Sequence, residues 1–292
     1  EKLTYFYRRN YYGFRGVDID PSKIKGIIMG SSVIDERYKP EKYTITEFLN
    51  KRLKKDDFDT VFINAGIEGQ SSAGIVASFE RWLFKLENFS PDYILFYIGT
   101  TDSRHQNLKI SDSNAGHLLN PNKKDIFFDN IKSRSIIYDS IRKIKFRYLP
   151  RKDFVKQDGK IGENYKSNYN YINYDTLIQK HTLNPTSIEN NKQISFYLKR
   201  IDKLNEYSKR LKSTPIFITN IGSNGYDLNL YKYNQSLINH CIIRKYKCID
   251  LAKKIKPNIE YWYDDQHTTK KGSSVIAKLI FEDLKKIIAK KN

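Results

Sequence analysis

Short apolar runs rich in β-branched residues alternate along the chain with longer amphipathic stretches. A short apolar run predicts a strand buried in a sheet, whereas apolar residues three and four positions apart predict one face of a helix. The predicted strands are Ile24–Met29, Thr60–Asn64, Tyr93–Ile98, Ile216–Ile221 and Cys248–Leu251. The predicted helices are Ile45–Leu53, Ala73–Leu86, Ile194–Leu211 and Val275–Ile288.

This alternation predicts a single α/β domain, residues 1–292, with a mainly parallel sheet and helices on both faces. One long insertion, at about 104–191, breaks the pattern. It contains a predicted helix near Ser133–Ile144 and the Tyr/Asn/Lys-rich tract Asn164–Tyr171, and such insertions are typical of binding loops and lids. Because ligands of open α/β sheets bind beyond the carboxyl ends of the strands, polar residues at those ends are the first candidates for chemistry.

The charge of the chain narrows the choice of partners. The sequence has 52 Lys and Arg against 33 Asp and Glu, a net charge of +19, which favours polyanionic neighbours. The basic residues run along the whole chain without a compact basic motif or a nucleic-acid module, so we expect a solvated basic surface and no nucleic-acid partner. Association with a membrane surface stays open, but no run approaches the ~18 apolar residues of a membrane-spanning helix. The sequence begins at Glu1 and not at Met, which fits an extracytoplasmic protein whose signal peptide or anchor has been removed, but the sequence leaves the compartment open.

The cysteines and most histidines suggest no metal or redox centre. Cys241 and Cys248 are too few for a disulfide framework and belong to no CxxC motif, so we expect core thiols that do not indicate a compartment. Four histidines are scattered without metal-ligand spacing: His105, His117, His181 and His240.

A serine turn follows the first predicted strand, where Gly30, Ser31 and Ser32 come directly after Met29. A serine on a tight strand-to-helix turn presents its hydroxyl above the sheet edge, near backbone N–H groups that can bind an oxyanion. By itself a Gly-Ser turn is also typical of a plain loop. Ser32 is therefore a candidate nucleophile that needs a base from elsewhere in the chain.

The segment Asp264–His267 is the candidate source of that base. A histidine acts as a general base when a carboxylate binds its Nδ1 proton and leaves Nε2 facing a nucleophile. Asp264 lies three residues before His267 and can reach the imidazole on a bent loop. The alternative is that Asp264, Asp265 and the threonines after His267 only cap the last predicted helix.

Two further turns follow the second and third predicted strands. Asn64, a candidate oxyanion or substrate-binding residue, opens a turn that contains Gly69, and glycine lets a backbone N–H approach an oxyanion closely. Gly99 is followed by Thr101 and Asp102, whose polar side chains can supply a second oxyanion donor or a substrate contact. The alternative is a pair of ordinary turns, each followed by a helix cap.

These four segments occur in the order of the four sequence blocks of the SGNH (GDSL-like) hydrolase superfamily, which the chain resembles from about Asn10 to Ile288. The lead-in Tyr11–Gly16 is also similar to that of bacterial members that act on O-acetyl groups of carbohydrates. The resemblance implies a three-layer α/β/α sandwich with a five-stranded, mainly parallel sheet, the flavodoxin-like SGNH fold, and no metal or organic cofactor. It implies these roles: nucleophile Ser32, the Asp-x-x-His pair Asp264 and His267, and backbone oxyanion donor Gly69.

Two positions depart from the family pattern. The usual Gly-Asp-Ser is Gly-Ser-Ser here, at Gly30–Ser32, where the backbone turn matters more than the middle side chain. The usual Gly-x-Asn-Asp is Gly-Thr-Thr-Asp, so that Thr101 stands where an asparagine amide would donate to the oxyanion. Loss of one such donor costs about 2.7–4 kcal/mol of transition-state stabilisation.

The resemblance implies a serine esterase or O-acyltransferase that removes or transfers an acyl group, in the first instance acetyl, through an acyl-Ser32 intermediate. The expected substrate is a carbohydrate or another O-acylated molecule, and the lysine excess suits an acidic one. The alternative, supported by Thr101, is a glycan-binding or assembly protein that has kept the fold with weak or no catalysis.

Overall fold

The computed structural model of the chain describes residues 3–104, 153–157, 191–223, 228–256 and 258–289. Most of the 104–191 insertion, with the predicted Ser133–Ile144 helix and the Asn164–Tyr171 tract, lies outside the described residues. The strands are β1 Leu3–Tyr7, β2 Gly26–Gly30, β3 Phe62–Asn64, β4 Tyr93–Tyr97, β5 Asp153–Gln157, β6 Thr214–Ile218 and β7 Lys247–Ile249. The α-helices are α1 Ser32–Asp35, α2 Ile45–Lys55, α3 Ser72–Arg81, α4 Thr100–Arg104, α5 Lys192–Arg210, α6 Leu228–Arg244, α7 Leu251–Lys254 and α8 Lys270–Ala289. No helix in these ranges is both long enough and apolar enough to cross a bilayer.

The central sheet is parallel and has the strand order β3-β2-β4-β6-β7. In register, Ile28 of β2 lies opposite Asn64 of β3 on one side and Leu95 of β4 on the other. The five strands predicted from the apolar runs are confirmed, with their ends shifted by three residues at most. Because all five strands point the same way, the turns that follow them meet at one edge of the sheet.

Helices cover both faces of this sheet and give it two separate apolar cores. Successive strand residues point to opposite faces, so Ile28 packs into the core under α2, α7 and α8, whereas Ile27 and Met29 pack into the core under α3, α5 and α6. Full burial of each aliphatic side chain contributes about 1.5–3 kcal/mol. Two helical layers and one sheet make a three-layer α/β/α sandwich.

One helix of the layer formed by α3, α5 and α6 differs from the prediction. The sequence pattern predicts a continuous helix over Ala73–Leu86, but α3 ends at Arg81 and a short 3₁₀ turn, Leu83–Lys85, follows. Trp82 leaves the helical conformation, with φ −130° and ψ −68°. Its indole N–H donates to the Tyr12 carbonyl at 2.6 Å. This tertiary hydrogen bond with the N-terminal lead-in accounts for the early end of the helix.

An antiparallel ribbon, which the sequence analysis did not predict, lies beside the main sheet. It pairs β1 with β5, with Tyr5 opposite Val155. The ribbon contacts the end of α1 through two tyrosines: the Tyr7 hydroxyl donates to Asp35 Oδ1 at 2.8 Å, and the Tyr5 hydroxyl donates to the Arg37 carbonyl at 2.6 Å. The segment before β2 therefore buttresses the helix that begins with the candidate nucleophile.

The structure corrects the expectation for the cysteines. Cys241, near the end of α6, and Cys248, in β7, form a disulfide with their Cα atoms 6.3 Å apart. The turn between α6 and β7 brings them together, and the Tyr246 N–H closes it by donating to the Cys241 carbonyl at 2.9 Å. The expectation of thiols was wrong because the spacing alone did not reveal that helix and strand fold back on each other.

Candidate active site

Ser32 stands at the first position of α1, directly beyond the carboxyl end of β2. The Ser31 carbonyl accepts hydrogen bonds from the N–H groups of Ile34 at 2.9 Å and Asp35 at 3.0 Å, so that the chain turns sharply from strand into helix. N–H groups in the first turn of a helix have no partner within it, and the Ser32 N–H belongs to that turn. The Ser32 side chain is half-buried.

The loop Tyr263–His267 closes on itself beside this turn. The Tyr263 N–H donates to the His267 carbonyl at 2.7 Å. The backbone N–H groups of His267 and Gln266 donate to Asp264 Oδ1 at 2.7 and 2.9 Å. These three hydrogen bonds bend the chain enough to bring the second carboxylate oxygen of Asp264 within 2.6 Å of His267 Nδ1.

The same loop brings the imidazole to the serine. His267 Nε2 lies 2.7 Å from Ser32 Oγ, although 235 positions of sequence separate the two residues. When Asp264 accepts the Nδ1 proton, Nε2 carries a lone pair and accepts a hydrogen bond from the Ser32 hydroxyl. The arrangement has the connectivity and distances with which an imidazole can remove a serine proton.

The Asp264 carboxylate stays charged in this environment. Burial raises its pKa, but the hydrogen bonds from the His267 ring and the Gln266 N–H, with the charge of His267, outweigh burial and leave the pKa below its ordinary value. An ionised Asp264 holds the proton of His267 on Nδ1 and favours the imidazolium that forms when the serine is deprotonated. The electrostatics therefore suit His267 as a base toward Ser32.

Asp265 anchors the loop to α4 and to the turn after β6, and Thr269 begins the helix that follows the loop. Asp265 forms an ion pair with Arg104 at 2.5 Å, and its carbonyl accepts from the Ser223 N–H at 2.9 Å. Thr269, not Asp264, caps α8, since its hydroxyl accepts from the Gly272 N–H at 3.2 Å. The helix-cap interpretation of this segment thus holds for Thr269, whereas Asp264 bonds to His267 and Gln266.

Tyr38 is a neighbour of the imidazole that the sequence analysis missed. Its ring centroid lies 4.8 Å from that of His267, and the Tyr263 ring stacks on it at 5.8 Å. The Tyr38 oxygen accepts from the Thr268 N–H at 3.2 Å. Burial, followed by the Glu36 carboxylate, raises the pKa of Tyr38 well above its ordinary value, so the phenol stays neutral. A tyrosine in a polar stretch carries no sequence signal for this position.

Asn64 and Gly69 lie on the loop that follows β3, and that loop packs on α1. The Asn64 amide donates to the Ile34 carbonyl at 2.5 Å and its oxygen accepts from the Gly66 N–H at 3.0 Å, so both ends of this buried side chain contact backbone. Gly69 has φ +71°, in the left-handed region that favours glycine, within a turn that the Ile67 N–H ties to the Gly30 carbonyl at 3.0 Å. The Asn64 contacts align the Gly69 loop with the Ser32 turn.

Thr101 and Asp102 lie in the short helix α4 and differ in what they face. Thr101 is half-buried, and its role as an oxyanion donor stays a prediction. Asp102 is 3 % exposed and accepts from the Ser72 N–H at 3.1 Å and the Ser72 hydroxyl at 2.6 Å, with Arg200 at 3.4 Å. These contacts tie Asp102, a predicted substrate-binding residue, to the start of α3, which is a structural role.

In the described part of the chain, no group of three or more His, Cys, Asp or Glu side chains is arranged to hold a metal ion. His240, the one scattered histidine within that part, has Nε2 2.7 Å from Asp202 Oδ1.

Similar structures identify the fold that carries this site. No protein-family model matches the sequence, and no curated protein matches it. The structure of TesA superposes with a TM-score of 0.51 at 10% identity, covering 89% of this chain and 97% of that one. The psychrotrophic esterase EstA from Pseudoalteromonas sp. superposes with a TM-score of 0.50 at 12% identity, covering 91% of this chain and 99% of that one. A mutant of Axe2, an acetyl-xylooligosaccharide esterase from Geobacillus, gives 0.50 at 13% identity, covering 89% and 93%.

The chain has the fold of the SGNH (GDSL-like) hydrolases. The predicted α/β/α sandwich with its five-stranded parallel sheet is therefore confirmed, and so is the resemblance to that superfamily at the level of the fold.

Proposed function

We propose that the protein is a serine ester hydrolase or O-acyltransferase that acts through an acyl-Ser32 intermediate. The observation that supports this most is the continuous chain of contacts from Asp264 through His267 to the Ser32 hydroxyl, at 2.6 and 2.7 Å. The fold of known esterases, with the serine and the histidine beyond the carboxyl ends of its strands, adds support.

The proposed reaction has two halves. His267 takes the Ser32 proton as Oγ attacks the acyl carbonyl, and the N–H groups of Ser32 and Gly69, with the Thr101 hydroxyl, stabilise the tetrahedral oxyanion. Collapse breaks the ester C–O bond, and the departing alcohol oxygen takes the proton from His267. Water, or a second hydroxyl in a transferase, then gives its proton to His267 and attacks the acyl-serine, which releases the acid or the new ester and returns the proton to Ser32 Oγ.

We propose an O-acylated carbohydrate, with acetyl as the acyl group, as the substrate. The fold match includes an acetyl-xylooligosaccharide esterase, and the net charge of +19 favours an acidic glycan over a neutral one. The half-buried Tyr263, stacked on Tyr38 next to His267, offers aromatic surface of the kind that packs against a sugar ring.

The test compares wild type with Ser32→Ala on 4-nitrophenyl acetate and on acetylated xylan and pectin. We expect a loss of kcat/KM of at least about 10³-fold in Ser32→Ala, since removal of the nucleophile leaves only oxyanion and binding effects. A fluorophosphonate should transfer its phosphonyl group to Ser32 Oγ with loss of fluoride, and the matching mass increase should appear on the peptide that contains Ser32 in wild type only. Equal ester hydrolysis by the two proteins, with no labelling, would leave the glycan-binding alternative that Thr101 supports.

A further inference from the structure

Glu36 and Lys39 form an ion pair shut off from solvent just after α1. Lys39 Nζ lies 2.7 Å from Glu36 Oε1, and the two side chains are 6% and 0% exposed. Removing two charges from water costs several kcal/mol per ion, and replacement by an apolar pair is often neutral or stabilising. A gain in stability therefore does not explain why charges occupy this position.

The pair reaches across to the residue that follows His267. Lys39 Nζ donates to the Thr268 carbonyl at 2.6 Å and lies 2.9 Å from its hydroxyl oxygen. The hydroxyls of Thr268 and Ser273 donate to Glu36 Oε1 at 3.1 and 2.8 Å. With Tyr38 accepting from the Thr268 N–H, both backbone polar groups of Thr268 are bound to residues of the 36–39 segment.

The 36–39 segment is itself held in a single conformation. Glu36 has φ +49°, which is unfavourable for a residue with a side chain and persists only where surrounding contacts fix it. Glu36 Oε2 accepts from the Ile45 N–H at the start of α2, at 2.6 Å. The buried Arg15 guanidinium donates to the carbonyls of Asp35 and, at 2.6 Å, Lys39.

We propose that the Glu36–Lys39 ion pair positions the catalytic base: it fixes the backbone of Thr268, and with it the His267 imidazole, relative to α1 and the Ser32 hydroxyl. Neither charged group is placed in contact with substrate, so both are positioning residues. The kinetic consequence rests on the proposed function, whereas the structural consequence does not. A displacement of about 1 Å between reacting groups can cost about 10²-fold in rate.

The kinetic test uses Lys39→Met and Glu36→Gln, which remove one charge each at similar volume. We expect kcat for 4-nitrophenyl acetate to fall about 10- to 100-fold with KM within about twofold of wild type, measured well below the Tm of each variant. The control is Lys203→Met, which breaks the Lys203–Glu80 pair of the same type, 2.9 Å long and about half exposed. It should change kcat less than twofold. Full kcat in both test variants, with only a lower Tm, would overturn the proposal.

A second readout works whether or not the protein hydrolyses esters. The Nδ1 proton shared by His267 and Asp264 should give a downfield ¹H NMR signal, and only five histidines need to be distinguished, with His267→Gln as the assignment control. We expect this signal to broaden or disappear in Lys39→Met and to persist in Lys203→Met. An unchanged signal in Lys39→Met would overturn the proposal. If the signal is lost in Lys39→Met but the wild-type protein hydrolyses no ester, only the proposed function is refuted.

Ser273→Ala replaces the other variants if they do not fold. It removes one hydroxyl of the network, on α8, and leaves the ion pair in place. We expect a fall in kcat of about three- to tenfold and a weaker downfield signal. Wild-type values for both would contradict the proposal.

Discussion

Replacing Asp264 by asparagine changes one atom of the Tyr263–His267 loop and reverses one hydrogen bond. In the wild-type structure the N–H groups of Gln266 and His267 donate to Asp264 Oδ1 at 2.9 and 2.7 Å. The amide oxygen of asparagine can still accept both hydrogen bonds, so the loop should keep its shape. The new amide nitrogen takes the place of Oδ2, 2.6 Å from His267 Nδ1, and can only donate there. The imidazole must then accept at Nδ1 and carry its proton on Nε2, where it faces Ser32 and cannot act as a base.

From this reversal we expect kcat to fall by on the order of 10⁴, or about 5.4 kcal/mol, the loss typical of a triad held in the wrong tautomer. The assay is 4-nitrophenyl acetate hydrolysis by Asp264→Asn, with Asp264→Ala as the comparison. Asp264→Ala removes all three hydrogen bonds and should lower Tm as well as kcat, whereas Asp264→Asn should keep a Tm near that of wild type. A kcat within tenfold of wild type for Asp264→Asn would refute the tautomer argument.

The stability of the same variant gives a test by pH. Because the folded-state pKa of Asp264 lies below its ordinary value, the carboxylate adds stability above the unfolded-state pKa, about 3.9, and this contribution is lost as pH falls through the folded-state value. Urea unfolding should therefore show the largest advantage of wild type over Asp264→Asn near neutral pH and a shrinking one below about pH 4. An advantage that grows toward acid pH would contradict the assigned direction.

Two further substitutions test the surroundings of the proposed catalytic residues Ser32, Asp264 and His267. Thr101→Asn restores the amide of the family pattern. It should raise kcat for 4-nitrophenyl acetate by about tenfold or more, up to the 10²–10³-fold that one oxyanion donor contributes. An unchanged kcat would mean that another group is the second oxyanion donor. Gly66→Ala would press a methyl group against the Asp35 backbone nitrogen. The free energy of unfolding, measured by urea denaturation, should therefore fall by about 1–3 kcal/mol. An unchanged urea midpoint would show that the loop after β3 can shift to make room for the methyl group.

The central sheet could be predicted because its strands are buried on both faces. Ile27, Ile28 and Met29 are all less than 2 % exposed, so their apolar run carries the strand signal without alternation. The β1–β5 ribbon could not be predicted in this way, because its pairing depends on partners about 150 positions apart, such as Tyr5 and Val155. Local patterns contain no information about such a pairing.

In the candidate site too, the residues that belong to a local sequence motif could be predicted and the others could not. Ser32, Asp264 and His267 are identifiable because each lies in a short motif with a chemical reason for its spacing. Glu36 and Lys39 have no such motif, and charged residues after a helix are usually solvated, so only the structure reveals their burial. Asp102 stands at the position of the family's aspartate, but its carboxylate accepts a hydrogen bond from the Ser72 N–H at the start of α3. The sequence does not distinguish these two uses, because a carboxylate can bind the free N–H groups at the start of a helix as well as it can bind a substrate.

Because 235 positions separate Ser32 from His267, the ribosome makes the serine long before the histidine. A nascent chain that has emerged only as far as β7 already holds every strand of the central sheet, including β2 and its serine, but has no imidazole to pair with it. The hydroxyl acquires its partner only after Asp264–His267 has left the ribosome and α8 has docked against α2. Under the proposed function, reactivity toward acyl groups therefore waits for the Asp264–His267 segment, which is made long after Ser32.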